Sequence, residues 1–301
     1  MSATVQFARD AQPVRPTAAP PPTDSLAGRV EAAIREGKVD LPVLTEAALK
    51  VRAIVQRDGG APEIVRVIGN EPSLAAAILR YANSVAYAGL REVTDLQQAV
   101  MRLGFVNVEK TVLAISAKGA FSSQDKTVEH LYRALWQHSL ATALAARRLA
   151  PRTLDVGPDS VFLAGLLHDI GKVVLLRCAS QLRHEDPTLY GFSDDTLLEF
   201  VQALHCTAGE QLCAAWNLPS EIRAVARRHH DEEFTGVGDM VIAIVQLANL
   251  MTRKAGASLT PDPGVSLVAT PGAVMLRLDD VKLTEALVDV EDDIAKLDTL
   301  F

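Results

Sequence analysis

The apolar residues of this chain recur mainly at spacings of three and four, whereas alternating runs of β-branched residues are scarce. Such spacings place side chains on one face of an α-helix, and proline, glycine and capping residues mark where a helix begins or ends. The pattern predicts helices over these ranges: Leu26–Glu36, Thr45–Gln56, Pro62–Ile68, Leu74–Tyr81, Leu96–Leu103, Val108–Ala117, Val128–Leu149, Asp159 to about Leu176, Asp194–Trp216, Ser220–His230, Asp239–Lys254 and Lys282–Leu300. We therefore predict an all-α fold, a bundle of many helices.

Three segments add to this pattern. Residues 1–24 hold five prolines among alanine and threonine without periodicity, which is typical of a flexible leader. Val265–Met275 is the one segment where a short strand or hairpin is expected. The acidic stretch Lys282–Leu300 is expected to pack on the body as a final helix or to engage a partner.

Composition and charge narrow the functional classes. The 301 residues are 49% hydrophobic and 22% charged, which is ordinary for a well-packed globular protein. A net charge of -7 argues against nucleic acid as a partner. The three cysteines lack zinc-finger spacing and are expected to be free thiols in a reducing compartment. Because no apolar run has the length of a membrane span and no secretory signal is seen, we expect a cytoplasmic protein without membrane partners.

The segment from Leu166 to Lys172 places a histidine beside a carboxylate in a strongly apolar helix. His168 and Asp169 are expected on its buried side, and Gly171 is expected to end it. A buried carboxylate is unfavourable unless it is paired, hydrogen-bonded or bound to metal, and imidazole is a common metal ligand. If no metal is bound, Asp169→Asn is expected to be neutral or stabilising, because it removes a buried charge, whereas with metal bound it is expected to lower the melting temperature.

Further histidines lie on the apolar sides of other helices. His138, His205 and His229 each continue a row of apolar residues, His230 adjoins His229 at a helix end, and Asn249 lies on the apolar side of a later helix. A single inward histidine is usually a core residue whose ring nitrogens bond to backbone carbonyls. Five imidazoles and one carboxylate that face one core, however, are satisfied together most simply around a cation.

The order of these residues resembles the HD superfamily of metal-dependent phosphohydrolases, and the surrounding sequence is similar to its HDOD branch, the HD-related output domain of bacterial signalling proteins. The stretches that carry the resemblance are Leu41-Pro42, Glu71–Leu74, Leu79–Ser84, Ala99–Gly104, Trp136–Ser139, Gly165–Lys172, Trp216–Pro219 and His229-His230. The resemblance implies an HD-like bundle over residues 25–256, with an N-terminal helical lobe at about 25–124 and an HD-like lobe at about 125–256. Residues 257–301 then form a C-terminal loop and an acidic helix.

The resemblance also implies a set of metal ligands. It predicts that one divalent ion, of Fe, Mn, Mg or Zn, is held by His138, His168 and Asp169, and a second by His205, His229 and His230. Lys172 is the candidate catalytic residue, which would steady a phosphate oxygen. The alternative expectation is that the domain binds no metal.

Two departures from the catalytic pattern bear on function. Asn249 stands where catalytic HD enzymes carry a closing aspartate, and an amide is a weaker, neutral ligand. The sequence after His230 contains no Asp-Gly-x-Gly-Tyr-Pro, so the resemblance does not extend to the cyclic-di-GMP phosphodiesterase branch. We favour a non-catalytic signalling output module that binds a protein partner or a small ligand, as a monomer or a homo-oligomer. The alternative is a metal-dependent phosphohydrolase that acts on a nucleotide or cyclic dinucleotide.

Overall fold

The computed structural model describes residues 28–30, 32, 36, 41–84, 87, 92–123, 125–150, 157–186 and 194–298. The predicted leader and most of the predicted helix Leu26–Glu36 lie outside the described residues. The helices are α1 Glu46–Gln56, α2 Ala61–Gly69, α3 Pro72–Ala82, α4 Leu96–Leu103, α5 Phe105–Lys118, α6 Glu129–Leu149, α7 Pro158–Leu167, α8 Ile170–Glu185, α9 Asp194–Ala215, α10 Ser220–Arg228, α11 Met240–Lys254, α12 Pro271–Leu276 and α13 Asp280–Asp298, with a short 3₁₀ helix at Val237–Asp239. Within these residues no strand occurs, which confirms the predicted all-α class.

The chain divides into two compact units, of which the smaller is Val43–Ala120. Capping side chains set the starts of its helices: the Thr45 hydroxyl accepts the Ala48 amide at 3.3 Å, and the Asp95 carboxylate accepts the Gln98 amide at 2.8 Å. Helix α1 packs against α5, and α4 packs against α2 and α3. The core of this unit includes the fully buried residues Val51, Ile64, Ile68, Ile78, Val100 and Val108.

The larger unit contains helices α6 to α13 and the described residues that precede Val43. Helix α6 packs against α7, α11 and α13, while α9 packs against α8 and α10. The Trp216 indole donates a hydrogen bond to the Pro42 carbonyl at 2.9 Å. Helix α13 is fastened to α6 by Arg148, whose guanidinium donates two hydrogen bonds to the Asp293 carboxylate, at 2.6 and 2.8 Å. The acidic final helix therefore packs on the body of its unit.

The single helix predicted from Asp159 to about Leu176 is in fact two helices. Helix α7 ends at Leu167 and α8 begins at Ile170, so His168 and Asp169 occupy the junction. The prediction that Gly171 ends a helix is therefore wrong, because Gly171 lies in the first turn of α8. A Cβ atom at Gly171 would lie 1.9 Å from the His205 carbonyl oxygen. The glycine is needed because the backbones of α8 and α9 touch there.

Two other expectations concern apolar segments. The prediction of a strand or hairpin in Val265–Met275 is wrong, because Pro271–Leu276 is helical and the rest of the segment is loop. The Thr270 hydroxyl accepts the Ala273 amide at 3.3 Å and so caps this helix, with a proline in its first turn. No helix among the described residues is both long enough and apolar enough to cross a membrane.

Candidate metal centre

Ligand-type side chains from three helices, one junction between helices and one helix end lie close together in the larger unit. His138 lies on α6, the His168-Asp169 pair at the junction of α7 and α8, His205 on α9, His229-His230 just after α10, and Asn249 on α11. The exposed fraction is 0% for His168, Asp169 and His229, 1% for His205, and 2% for His138. His230 was expected to face inward with the others and is instead exposed.

The distances join these side chains into one cluster. Asp169 Oδ2 lies 3.3 Å from His168 Nε2 and 3.4 Å from His138 Nε2. The other carboxylate oxygen, Oδ1, lies 3.3 Å from His205 Nε2 and 3.5 Å from His229 Nε2. One buried carboxylate therefore contacts histidines from both predicted ligand groups.

Hydrogen bonds on the outer edge of each ring set the histidine tautomers. The Nδ1 atom of each ring lies within hydrogen-bonding distance of a backbone carbonyl, at distances of 2.7 to 3.0 Å: His138 with Ala257, His168 with Gly165, His205 with Gln202 and His229 with Val225. A carbonyl oxygen only accepts, so Nδ1 carries the proton and donates it. In a neutral ring the lone pair then lies on Nε2, which faces the cluster, as in histidines that bind metals.

Burial and neighbouring charges determine the protonation of the cluster. Burial lowers the pKa of His205 to about 3, and it lowers the pKa of His229 as well. Burial alone would raise the pKa of Asp169, but His168 and the ammonium of Lys172 hold it well below its usual value. At neutral pH the carboxylate is therefore charged, while His205 and His229 are neutral.

This arrangement fits a divalent cation. The Nε2 atom of His205 lies 3.2 Å from that of His229, and both nitrogens are acceptors in the neutral rings. His168 Nε2 and Asp169 Oδ1 are buried and have no hydrogen-bond partner among the described residues. Converging lone pairs without donors are unfavourable unless a cation lies among them, and imidazole with carboxylate suits several divalent metals.

The possible ligand atoms fall into two groups. The first is His138, His168 and Asp169, and the second is His205, Cys206, His229 and His230; within each group the atoms lie within 4.8 Å of one another. The sequence pattern did not indicate Cys206, whose Sγ atom lies 3.5 Å from His205 Nε2. Its only signal was its position next to His205, and adjacent residues on a helix usually diverge. Burial raises the pKa of its thiol to about 12.

Lys172 and Asn249 complete the surroundings of the cluster. The Lys172 side chain is 9% exposed, and its ammonium donates to Asp169 Oδ2 at 2.7 Å. Asn249 is buried, and no residue in the described part of the chain forms a hydrogen bond with its side-chain oxygen. Beside them lies a pocket of about 320 Å³, whose lining includes His229, His230 and Asn249.

The sequence profile of the HDOD domain family matches residues 41–232, which is more than half of the chain. The chain belongs to the HDOD domain family. This finding confirms the resemblance noted from the sequence. The match ends before Asn249, so helix α11 and the Ala257 carbonyl that bonds to His138 extend the HDOD site beyond the matched residues.

Known relatives agree with this assignment. A structure from Shewanella amazonensis, provisionally named as a metal-dependent phosphohydrolase, has a TM-score of 0.74 at 21% identity over 89% of this chain and 96% of that chain. A provisionally named signal transduction protein from Marinobacter aquaeolei has a TM-score of 0.60 at 22% identity over 87% of this chain and 60% of that chain. An uncharacterised protein of Treponema pallidum is 26% identical over 243 residues, which are 75% of this chain and 44% of that relative. The HDOD chain thus spans less than half the length of the Treponema protein, and the structural likenesses show the fold alone.

Proposed function

We propose that this HDOD domain is a cytoplasmic regulatory module of bacterial signal transduction that does not hydrolyse phosphate esters. In this proposal the histidine cluster holds one divalent metal ion, and the module acts by binding a protein partner or a small ligand. The observation that carries the proposal is the pairing of Asp169, the one carboxylate in the cluster of described ligand atoms, with Lys172.

The charge balance of the cluster supports one ion rather than two. The negative charge of Asp169 is already matched by the positive charge of Lys172, 2.7 Å away, and the buried rings of His205 and His229 are neutral. Two divalent ions would add four positive charges next to one ligand carboxylate, a charge that the described ligand atoms do not balance. Uncompensated buried charge costs several kcal/mol per ion, so a pair of metals of the kind used in two-metal hydrolysis is disfavoured.

The positions of Lys172 and Asn249 also argue against hydrolysis. Because the Lys172 ammonium is buried and donates to Asp169, a structural role is favoured over the candidate role of steadying a phosphate oxygen. Asn249 brings a neutral amide to the side of the cluster where a carboxylate would have added charge and a proton acceptor. The residues therefore support binding of a metal better than turnover of a phosphate ester.

A phosphohydrolase is the second candidate, and the pocket beside the cluster is the observation that favours it. Asp231 and Glu232 line this pocket together with His229 and His230, so carboxylates for proton transfer lie next to candidate metal ligands. A divalent ion bound there would polarise a phosphoryl oxygen and lower the pKa of water. The name of the Shewanella structure is consistent with this alternative.

Metal analysis combined with a hydrolysis screen tests the proposal. Protein purified without chelator is expected to contain about one divalent metal per chain, and His205→Ala is expected to contain less. His184→Ala is the matched control, because His184 is an exposed histidine of α8. Nucleotides, cyclic dinucleotides and simple phosphodiesters are then offered with Mn²⁺, Fe²⁺ or Mg²⁺.

We expect no turnover above the level of the His205→Ala protein. Turnover that is lost in His205→Ala but kept in His184→Ala would overturn the proposal in favour of the hydrolase. Two metal ions per chain would contradict the charge argument, and absence of metal from both wild type and the control would contradict the metal centre itself.

A further inference from the structure

We propose that Cys206 is a metal ligand, and that it forms with His205, His229 and His230 a site of three nitrogens and one sulfur for a thiophilic divalent ion, Zn²⁺ foremost. The assignment rests on the metal centre proposed above and specifies which atoms hold the ion and which metals they select.

The distances between the donor atoms match those of a tetrahedral zinc site. Zinc binds nitrogen at about 2.0–2.1 Å and sulfur at about 2.3 Å, so tetrahedral ligands stand about 3.3–3.4 Å apart for two nitrogens and about 3.6 Å apart for nitrogen and sulfur. His205 Nε2 lies 3.2 Å from both His229 Nε2 and His230 Nε2, and 3.5 Å from Cys206 Sγ. Three edges of the tetrahedron therefore already have the required length, and all four donor atoms lie within 4.8 Å of one another.

A second observation points to a cation at the same place. Asp169 Oδ1 is fully buried and lies 3.3 Å from His205 Nε2 and 3.5 Å from His229 Nε2, and within the part of the chain that the structure describes it has no hydrogen-bond partner. Neither neutral imidazole offers it a proton from Nε2, because Nδ1 carries the proton in both rings. A cation held by His205 and His229 would lie beside Asp169 Oδ1, and its positive charge would attract the lone pairs that these rings leave without a proton.

Asp169 Oδ1 could take the place of Cys206 as the fourth ligand of the ion. The charge balance of the site favours the thiol. The Asp169 carboxylate is already paired with Lys172, whereas the Cys206 thiol releases its proton to solvent on binding and adds one negative charge. That charge reduces the net charge of a site loaded with one divalent ion from two to one. A thiolate with imidazoles selects zinc and similar metals, while Mg²⁺ and Mn²⁺ favour carboxylate and water oxygens.

Cobalt substitution tests the assignment by a readout other than activity. Co²⁺ is added to the full chain after its metal has been removed with a chelator, and the absorption spectrum is recorded. We expect tetrahedral visible bands together with a near-ultraviolet thiolate-to-cobalt charge-transfer band. Cys206→Ser is expected to lose the charge-transfer band and to bind Zn²⁺ on the order of tenfold more weakly or worse. Cys213→Ser and Cys178→Ser are the matched controls, because both thiols are buried elsewhere, and they are expected to keep the band.

The possible outcomes separate this assignment from the proposed function. Visible cobalt bands without a thiolate band that depends on Cys206 would overturn the sulfur ligand and leave the metal centre standing, with Asp169 as the fourth donor. No cobalt binding in any of the proteins would overturn both. If Cys206→Ser does not fold, alkylation of wild type decides the question, since bound Zn²⁺ is expected to slow modification of the half-buried Cys206. An unchanged alkylation rate at saturating Zn²⁺ would contradict the assignment.

Discussion

The buried pair of Asp169 and Lys172 is expected to couple strongly in the metal-free protein. Their charged atoms lie 2.7 Å apart, and the side chains are 1% and 9% exposed. At an effective dielectric constant of about 20 the attraction is about 6 kcal/mol, of which desolvation cancels a large part. Removal of one partner leaves the other charge buried, which typically costs about 3–5 kcal/mol. With Lys172 in place, Asp169→Asn is therefore expected to destabilise the protein, opposite to the expectation for a lone buried carboxylate.

A double-mutant cycle measures this coupling. The free energy of unfolding is determined by urea denaturation, with a chelator present, for Asp169→Asn, Lys172→Met and the double variant. We expect the double variant to be less destabilised than the sum of the single variants by about 2–3 kcal/mol. The ion pair of Glu46 and Lys50, 2.6 Å apart but largely exposed, is the control of similar length and is expected to show no resolvable coupling. A cycle at Asp169 and Lys172 that resembles this control would refute the reasoning.

Three further predictions concern packing and surface charge. Gly171→Ala is expected to lower the free energy of unfolding by about 3 kcal/mol, because a Cβ meets the backbone of α9. Gly238→Ala is the control and is expected to change it little, because a Cβ there meets no described atom within 4 Å. Equal effects in urea denaturation would contradict this. The hydrogen bond from Arg228 holds the pKa of Asp239 below its usual value. The ionised Asp239 carboxylate therefore stabilises the folded protein fully above the ordinary pKa of aspartate, and this stabilisation is lost as the pH falls through the lowered pKa of the folded state. Asp239→Asn is thus expected to lower the melting temperature at neutral pH, and a difference from wild type that persists in strong acid would contradict the assignment. Arg148→Ala is expected to lower the free energy of unfolding by only about 0.5–1 kcal/mol, because the guanidinium is partly exposed. It is also expected to speed hydrogen exchange in α13. Unchanged exchange in α13 would show that the ion pair does not hold this helix.

The positions of the buried histidines could be predicted from the sequence because their helices are amphipathic. His138, His205 and His229 each continue an apolar row at helical spacing, and the structure buries all three with Nε2 facing Asp169. Spacing along a helix determines the direction in which a side chain points. The sequence could therefore predict that these histidines point into one core. His229 is the C-cap of α10 and still has helical backbone angles, whereas His230 lies one residue beyond it, where the helical spacing no longer determines which way a side chain faces.

The junction at His168 and Asp169 could not be predicted in this way. Helix α7 is apolar on nearly every side and α8 continues the apolar run, so periodicity indicates neither a buried face nor a break. The break places Lys172 where its ammonium reaches Asp169, a contact that depends on the position of the junction. Cys206 was missed for a different reason: it follows His205 directly on α9, and adjacent residues on a helix usually face different directions.

The orientation of the His138 ring determines how far a shortened fragment of the protein must extend. Its ring is held by the carbonyl of Ala257, which follows α11 and lies 25 positions past the end of the family match at residue 232. A fragment trimmed to the matched residues would lack that acceptor as well as Asn249, and the His138 ring would be free to rotate away from Asp169. An HDOD domain expressed for metal-binding studies should therefore include the chain through the loop after α11. The residues that match the family are fewer than the residues needed to hold the ligand side chains in place.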